Sequence, residues 1–423
     1  MKDICNSFSE ILSQSATVQS AYELSEADCL KYCQGISAVV EHNQYKVLRA
    51  FWKNNISEVH LSGSNGYGYN DLGRDTLGKV YADIFNCEAA LVRLQIVSGT
   101  HAIAVAMLGN LSPGEEIVSA TGKPYDTLTK VIGFHNEYGS LAHYGINYRE
   151  SSLTRQGNID IDHLLTMLNK KTKMVFFQRS KGYSWRNSIS LEELRQAISS
   201  VKSFNEKIIC FVDNCYGEFV EYSEPTDVGA DLIAGSLIKN PGGGLSLTGG
   251  YVAGKEELVA KSAVRLSAPG IGTGLGASLN FNHSAYQGLF IAPMIVGEAL
   301  KGAVWGSRLF ELLGYEVLPH YKEPRTDLIQ AIRLGSSELM SLFCKGLQKA
   351  CPLDSQATPE PDFLPGYENK VIMAGGTFIQ GSSIELSADG PIRPPYNIFY
   401  QGGLSFAHAK IGLLMAALEI ENK

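Results

Sequence analysis

The sequence is short of basic charge, of paired cysteines and of metal-ligand spacings. Its 423 residues carry 36 Lys and Arg against 43 Asp and Glu, a net charge of −7. Without a basic excess there is no field to draw nucleic acid or an anionic membrane surface, so neither is expected as a partner. Charged residues make up 19% and apolar residues 44%, the balance of an ordinary globular chain. None of the eight cysteines stands in a Cys-x-x-Cys pair. They read as reduced, buried thiols, and the cytoplasm is the expected compartment. Cys29 and Cys33, four apart on a predicted helix, read as core residues and not as half of a zinc site. The nine histidines are scattered, and no metal site is expected. Met1–Ser7 is polar and lacks the apolar stretch of a secretory signal. No run is expected to approach the ~18 apolar residues of a membrane-spanning helix.

Glycine, in contrast, is abundant, with 43 residues, as packed loops around a ligand would require. The length suggests two domains with a core large enough to need no staples. Residues 1–60 read as an N-terminal helical segment, with Ser25 capping Ser25–Asp28 in the manner of a capping box. Residues 61–295 read as a large α/β domain. It opens on a glycine- and tyrosine-rich loop at 61–78. Strands follow at Ala89–Val97, Glu116–Ala120, Val175–Gln178, Ile208–Val212 and Leu232–Leu237, alternating with helices at Ala102–Leu108, Asp126–Gly133, Asp160–Leu168 and Leu191–Val201. That alternation predicts a mainly parallel sheet covered on both faces. Thr248–Ala253 reads as an adjoining strand, antiparallel in one reading, and Asn282–Leu313 as a long helix. Residues 296–423 read as a smaller α+β domain. It holds a helix around Asp327–Cys351, strands near Val371–Phe378 and Ser383–Leu386, and a final helix at Ser405–Ile420.

Several residues in the large domain carry chemistry. Lys239 ends an apolar run and precedes Gly242–Gly244, a poor place for a core lysine and a good one for an amine that must reach a carbonyl. Asp213 ends the strand before it. A lysine and a strand-end aspartate in this order suggest a pyridoxal phosphate site, where the lysine holds the cofactor and the acid pairs with its ring nitrogen. Ser98, Gly99 and Thr100 open a helix and suit a phosphate. Tyr125 suits stacking on a flat ring, and Ser236 offers a hydroxyl to the same phosphate. Blander readings stand beside each of these. Asp213 also fits a turn, Ser98 a plain helix cap, Ser236 a small strand residue, and Tyr125 is one of 20 tyrosines. Gly66-x-Gly68 lacks the third glycine of a dinucleotide fingerprint, and Gly242–Gly250 lacks the Gly-Lys-Ser/Thr ending of a P-loop.

Taken in order, Ser98-Gly99-Thr100, Tyr125, Val212-Asp213-Asn214 and Ser236-x-x-Lys239 resemble the fold-type-I pyridoxal phosphate enzymes of cysteine and methionine metabolism. Gly66–Arg74, Val97–Ala102, Gly122–Thr127, Pro394–Asn397 and Gln401–Gly403 look like the methionine γ-lyase-like, or aluminium-resistance, branch. The resemblance covers most of residues 60–410. It implies pyridoxal 5′-phosphate bound through Lys239, an amino-acid substrate, and C–S bond elimination. Replacement, transamination or racemisation on the same cofactor remain alternatives, as does a non-catalytic metal-stress protein on the same fold. It also implies a homodimer or homotetramer with shared sites, in which Tyr67 or Tyr69 with Arg74 reaches the neighbouring subunit's phosphate. One departure concerns the substrate. Where the wider family has an arginine for the substrate carboxylate, this chain has Glu385, and Arg393 is the substitute candidate.

Overall fold

The computed structural model describes residues 9–364 and 366–423; the reading of Met1–Ser7 lies outside them. The chain divides into two compact units. One comprises the chain up to Glu41, Tyr183–Trp185 and Met294–Lys423; the other comprises His42–Gly182 and Arg186–Pro293. The N-terminal segment is therefore not a body of its own. Its main element, the helix Ala16–Lys53, contributes to both units. Ser25 lies inside that helix and is buried, so it caps nothing.

The unit from His42 to Pro293 is built on a seven-stranded sheet. Its strands are β1 (Ala89–Arg93), β2 (Glu116–Ser119), β3 (Asn147–Glu150), β4 (Thr172–Gln178), β5 (Ile209–Asp213), β6 (Leu232–Ser236) and β7 (Gly250–Gly254), ordered β1-β7-β6-β5-β4-β2-β3. Pairing is parallel from β3 through β2, β4 and β5 to β6. β7 runs antiparallel to both β6 and β1. β5, β6 and β7 are buried along their whole length, as strands covered on both faces must be. The helix Gly99–Asn110 is apolar nearly all round, and most of its residues are buried, including Ile103 and Met107. They pack with Phe176, Phe211 and Val252 in one core cluster. Each such side chain contributes roughly 1.5–3 kcal/mol on burial. Leu191–Phe204 is amphipathic instead, capped by Ser190, whose Oγ accepts the Glu193 amide at 3.2 Å.

The second unit carries a five-stranded antiparallel sheet. Its strands are β8 (Glu316–Leu318), β9 (Gln330–Arg333), β10 (Val371–Ala374), β11 (Ser387–Pro391) and β12 (Asn397–Gln401), ordered β10-β11-β12-β9-β8. Trp305, Phe310, Phe343, Tyr400 and Leu413 lie in its core. Two expectations fail here. The segment expected as one helix from Asp327 to Cys351 is β9 followed by the helix Ser337–Lys349. Gly335 at φ +80° and the Ser336 cap, which takes the Leu339 amide at 3.1 Å, separate them. The strand expected at Ser383–Leu386 begins instead at Ser387, because Glu385 is drawn into a buried loop contact described below.

Phe281–Leu312 is, by length and composition, long and apolar enough to cross a membrane, contrary to the sequence reading. Of its most apolar window, 72% is buried within the protein, so that surface is packed as in a core helix.

Candidate active site

Parallel strands end along one edge, and that edge gathers the chemistry. β5 ends at Asp213, which lies opposite Gln178 at the end of β4 and Ala234 on β6. Ser236 ends β6 and is buried.

The helix Gly99–Asn110 starts at the same place. Ser98 caps it, its Oγ accepting the His101 amide at 3.1 Å, and the Ser98 carbonyl accepts the Ala102 amide. The Gly99 and Thr100 amides, which have no intrahelical acceptor, are left for a ligand. A Cβ on Gly99 would lie 3.1 Å from Cys215 Sγ and 3.4 Å from Ser236 Cβ. The absent side chain is what lets β6, the Cys215 loop and the helix start close on one point.

Thr100 joins this point to Tyr125, with 2.7 Å between Thr100 Oγ1 and the Tyr125 phenol oxygen. The Tyr125 amide donates to Gln178 Oε1 at 2.8 Å, which holds the ring beside the end of β4. Burial raises the pKa of the phenol, and the nearby Asp213 raises it further, so Tyr125 is a protonated donor at neutral pH.

Lys239 follows β6 and is half-buried. Its Nζ lies 3.8 Å from the centroid of the Tyr216 ring, a cation–π distance. Tyr216 holds φ +72°, uncommon for a bulky residue and frequent at functional sites. Burial disfavours the Lys239 ammonium, but Cys215, Tyr216, Tyr125 and Asp213 outweigh it and push the lysine's pKa well above the usual value. Acidic neighbours supplied by the chain itself thus surround the amine. Asp213 is buried, accepts the Cys215 amide at 3.1 Å, and is shifted upward by burial, with Lys239 opposing the shift. Such a carboxyl lacks a full positive partner, and a protonated ring nitrogen would supply one.

The group that these residues fit is pyridoxal 5′-phosphate. Two helix-start amides with Ser98, Thr100 and Ser236 suit a phosphate ester, Asp213 suits a cationic ring nitrogen, and Lys239 suits an aldehyde. The methionine gamma-lyase family profile matches residues 18–421. The chain belongs to the methionine gamma-lyase family. It is 50% identical over 400 residues to the uncharacterized protein YnbB of Bacillus subtilis (strain 168), covering 94% of this chain and 95% of that one. A solved structure from Clostridium novyi NT, a carbon-sulfur lyase involved in aluminum resistance, is 47% identical with a TM-score of 0.94, covering 98% and 99% of the two chains. The pyridoxal-5′-phosphate dependent protein YhfS from Escherichia coli, 14% identical, matches with a TM-score of 0.62 over 92% and 97% of the chains, which shows a shared fold. The fold is thus the α/β fold of the fold-type-I pyridoxal phosphate enzymes, as the family resemblance implied.

Other expected site residues of this family member make their contacts elsewhere. Tyr67 and Tyr69 are each 67% exposed, with ring centroids 5.5 Å apart. Arg74 is buried, and its Nη1 donates to the carbonyls of Gly68 at 2.7 Å and Gly276 at 2.8 Å. It fixes the base of the loop that presents the two tyrosines. Arg393 belongs to the other unit, exposed in the turn between β11 and β12. Glu385, in the same unit, is buried and accepts the amides of Phe378 at 2.8 Å and Ile379 at 2.9 Å. Its charge is used to fold a loop, which explains a glutamate there without reference to substrate.

Sequence reasoning missed Cys215, Tyr216 and Glu218. A signal existed in the polar stretch Asp213–Glu218, which directly follows a fully apolar strand and returns to Phe219-Val220.

Proposed function

We propose that this chain is a pyridoxal 5′-phosphate-dependent carbon–sulfur lyase that cleaves a sulfur-containing amino acid by β- or γ-elimination. The observation that carries the reading is the position of the Lys239 amine, held over Tyr216 with Asp213 and Tyr125 among its ionisable neighbours. The name of the Clostridium novyi relative supports the reaction class. When bound, the cofactor supplies an electron sink for the negative charge left at the substrate α-carbon. Lys239 would hold it through its amine, and the same amine is placed to take the α-proton. Asp213 keeps the ring nitrogen protonated by opposite charge. Tyr125 stacks on the ring and offers its phenol proton to the departing sulfur. Ser98, Gly99, Thr100 and Ser236 bind the phosphate, and Arg393 takes the substrate carboxylate.

We further propose a homodimer or homotetramer in which the Tyr67–Arg74 loop completes the neighbouring site. The cytoplasm suits the seven described cysteines, all of them free thiols; Cys5 lies outside the described residues.

Borohydride reduction followed by peptide mapping tests the cofactor, with a pyridoxyl group expected on Lys239 and nowhere else. A panel of sulfur amino acids should release ammonia and a 2-oxo acid. A net exchange of amino groups in place of that release would move the reaction to transamination.

A further inference from the structure

Glu218 is the most deeply buried carboxyl near Lys239, and the chemistry above does not use it. It is fully buried, Tyr251 donates its phenol proton to Oε1 at 2.8 Å, and Oε2 has no hydrogen-bond partner. A Cβ on Gly235 would meet Glu218 Oε1 and Tyr251, whereas the Cβ of Ser236, one residue on, lies against Gly99. Successive strand residues face opposite ways, so Glu218 lies on the face of the sheet away from the helix Gly99–Asn110.

Its connections nevertheless lead to the amine. The Glu218 carbonyl accepts Asn240 Nδ2 at 2.9 Å, and Asn240 follows Lys239 directly. The loop Glu218 ends carries Cys215 and Tyr216 and is bent at two positive-φ residues, Tyr216 at +72° and Phe219 at +62°.

We propose that Glu218 is a positioning residue for the lysine amine: it locks Tyr216 and Lys239 in one register, and the proton on its carboxyl governs how firmly the amine is held as a cation. The proposal rests on the reading of Lys239 as the cofactor lysine; its test does not. The titratable groups around Glu218 are Tyr251 on β7, Tyr81 on the helix Leu72–Ile84, Cys215 and Glu224 on its own segment, and Lys239 after β6. Burial pushes the Glu218 carboxyl up to about 8, with the Tyr251 hydrogen bond opposing it. Below that pH the carboxyl is neutral. Above it a buried negative charge appears near Lys239 and favours the ammonium.

The test is pulse acetylation of the full-length, cofactor-free protein across pH, with the Lys239 peptide quantified by mass spectrometry. Glu218→Gln keeps the acceptor for Tyr251 and cannot ionise. Its Lys239 labelling midpoint should fall, giving about threefold or more labelling at alkaline pH, equivalent to half a pKa unit. Glu218→Ala likewise removes the charge and should shift the midpoint the same way; it decides the matter if the glutamine variant does not fold. A merely structural role would change the extent of labelling and leave the midpoint in place. Midpoints unmoved in the folded variants overturn the proposal. Absence of a pyridoxyl group on wild-type Lys239 would instead overturn the functional reading and leave this test intact.

Discussion

Thr100 and Tyr125, 25 residues apart in the chain, share a hydrogen bond of 2.7 Å. Each lies at the start of a helix, Gly99–Asn110 and Asp126–Ile132. The bond therefore ties the two amides suited to a phosphate to the ring suited to stacking. Both helix starts also reach the strand ends, one through Gly99 against Ser236 and the other through the Tyr125 amide on Gln178. A flat phosphorylated ring would meet a preformed frame, which lowers the ordering cost of binding.

Gly99→Val should loosen cofactor binding more than it unfolds the chain. Its Cβ alone would lie 3.1 Å from Cys215 Sγ, and branching adds further overlap. A rise in the dissociation constant for pyridoxal 5′-phosphate of about tenfold or more, worth ~1.4 kcal/mol, is expected by fluorescence titration, with a folded circular dichroism spectrum.

Asp213→Asn preserves shape and removes the charge. Exchange of the substrate α-proton with deuterated solvent should slow by about 100-fold or more, the scale on which loss of a preorganised electrostatic group is felt. Unchanged exchange, followed by NMR, would show that Asp213 does not sustain the reaction.

Glu218 makes stability depend on pH with a definite sign. Burial pushes its folded-state pKa up to about 8, above the ordinary value of 4.5. Its contribution is therefore fully present below pH 4.5 and is lost as pH rises to about 8, on the order of a few kcal/mol. Urea denaturation should show Glu218→Gln flattening the pH dependence across that window relative to wild type.

Arg74→Ala should lower the melting temperature, because the Gly68 and Gly276 carbonyls lose their shared donor. It should also weaken cofactor retention. If the loop it braces completes a neighbouring site, equal mixtures with Lys239→Ala chains should recover roughly a quarter of wild-type activity, through mixed dimers with one intact site. No recovery would confine each site to its own chain.

Arg393→Ala should raise KM for the amino acid by about tenfold or more while leaving cofactor binding unchanged, as expected when a guanidinium partner of a carboxylate is removed. Steady-state kinetics with the cleaved substrate check this. An unchanged KM would return Arg393 to an ordinary surface role.

Much of this protein is legible along the chain. The apolar runs at β4, β5 and β6, the Ser98 cap and the leucine-spaced helix Leu191–Phe204 follow from period and capping, which are local. Lys239 stands out because the end of an apolar run is a poor place for a core lysine, and Asp213 and Gly99 gain meaning from their order along the chain with it. Near Leu328–Ile332 the reading failed, since a short apolar run has no period of its own and Gly335 alone marks its end.

The sequence by itself determined the alternating architecture and the order of the groups that suit a pyridoxal phosphate, because both are written in residue type and spacing. Only the tertiary structure decided which of them meet. It set Tyr216 under Lys239, paired Thr100 with Tyr125, used up the charge of Glu385 on two amides, and buried Glu218 near the amine. Burial and through-space charge depend on distance in the fold, and residues distant in the chain supply both.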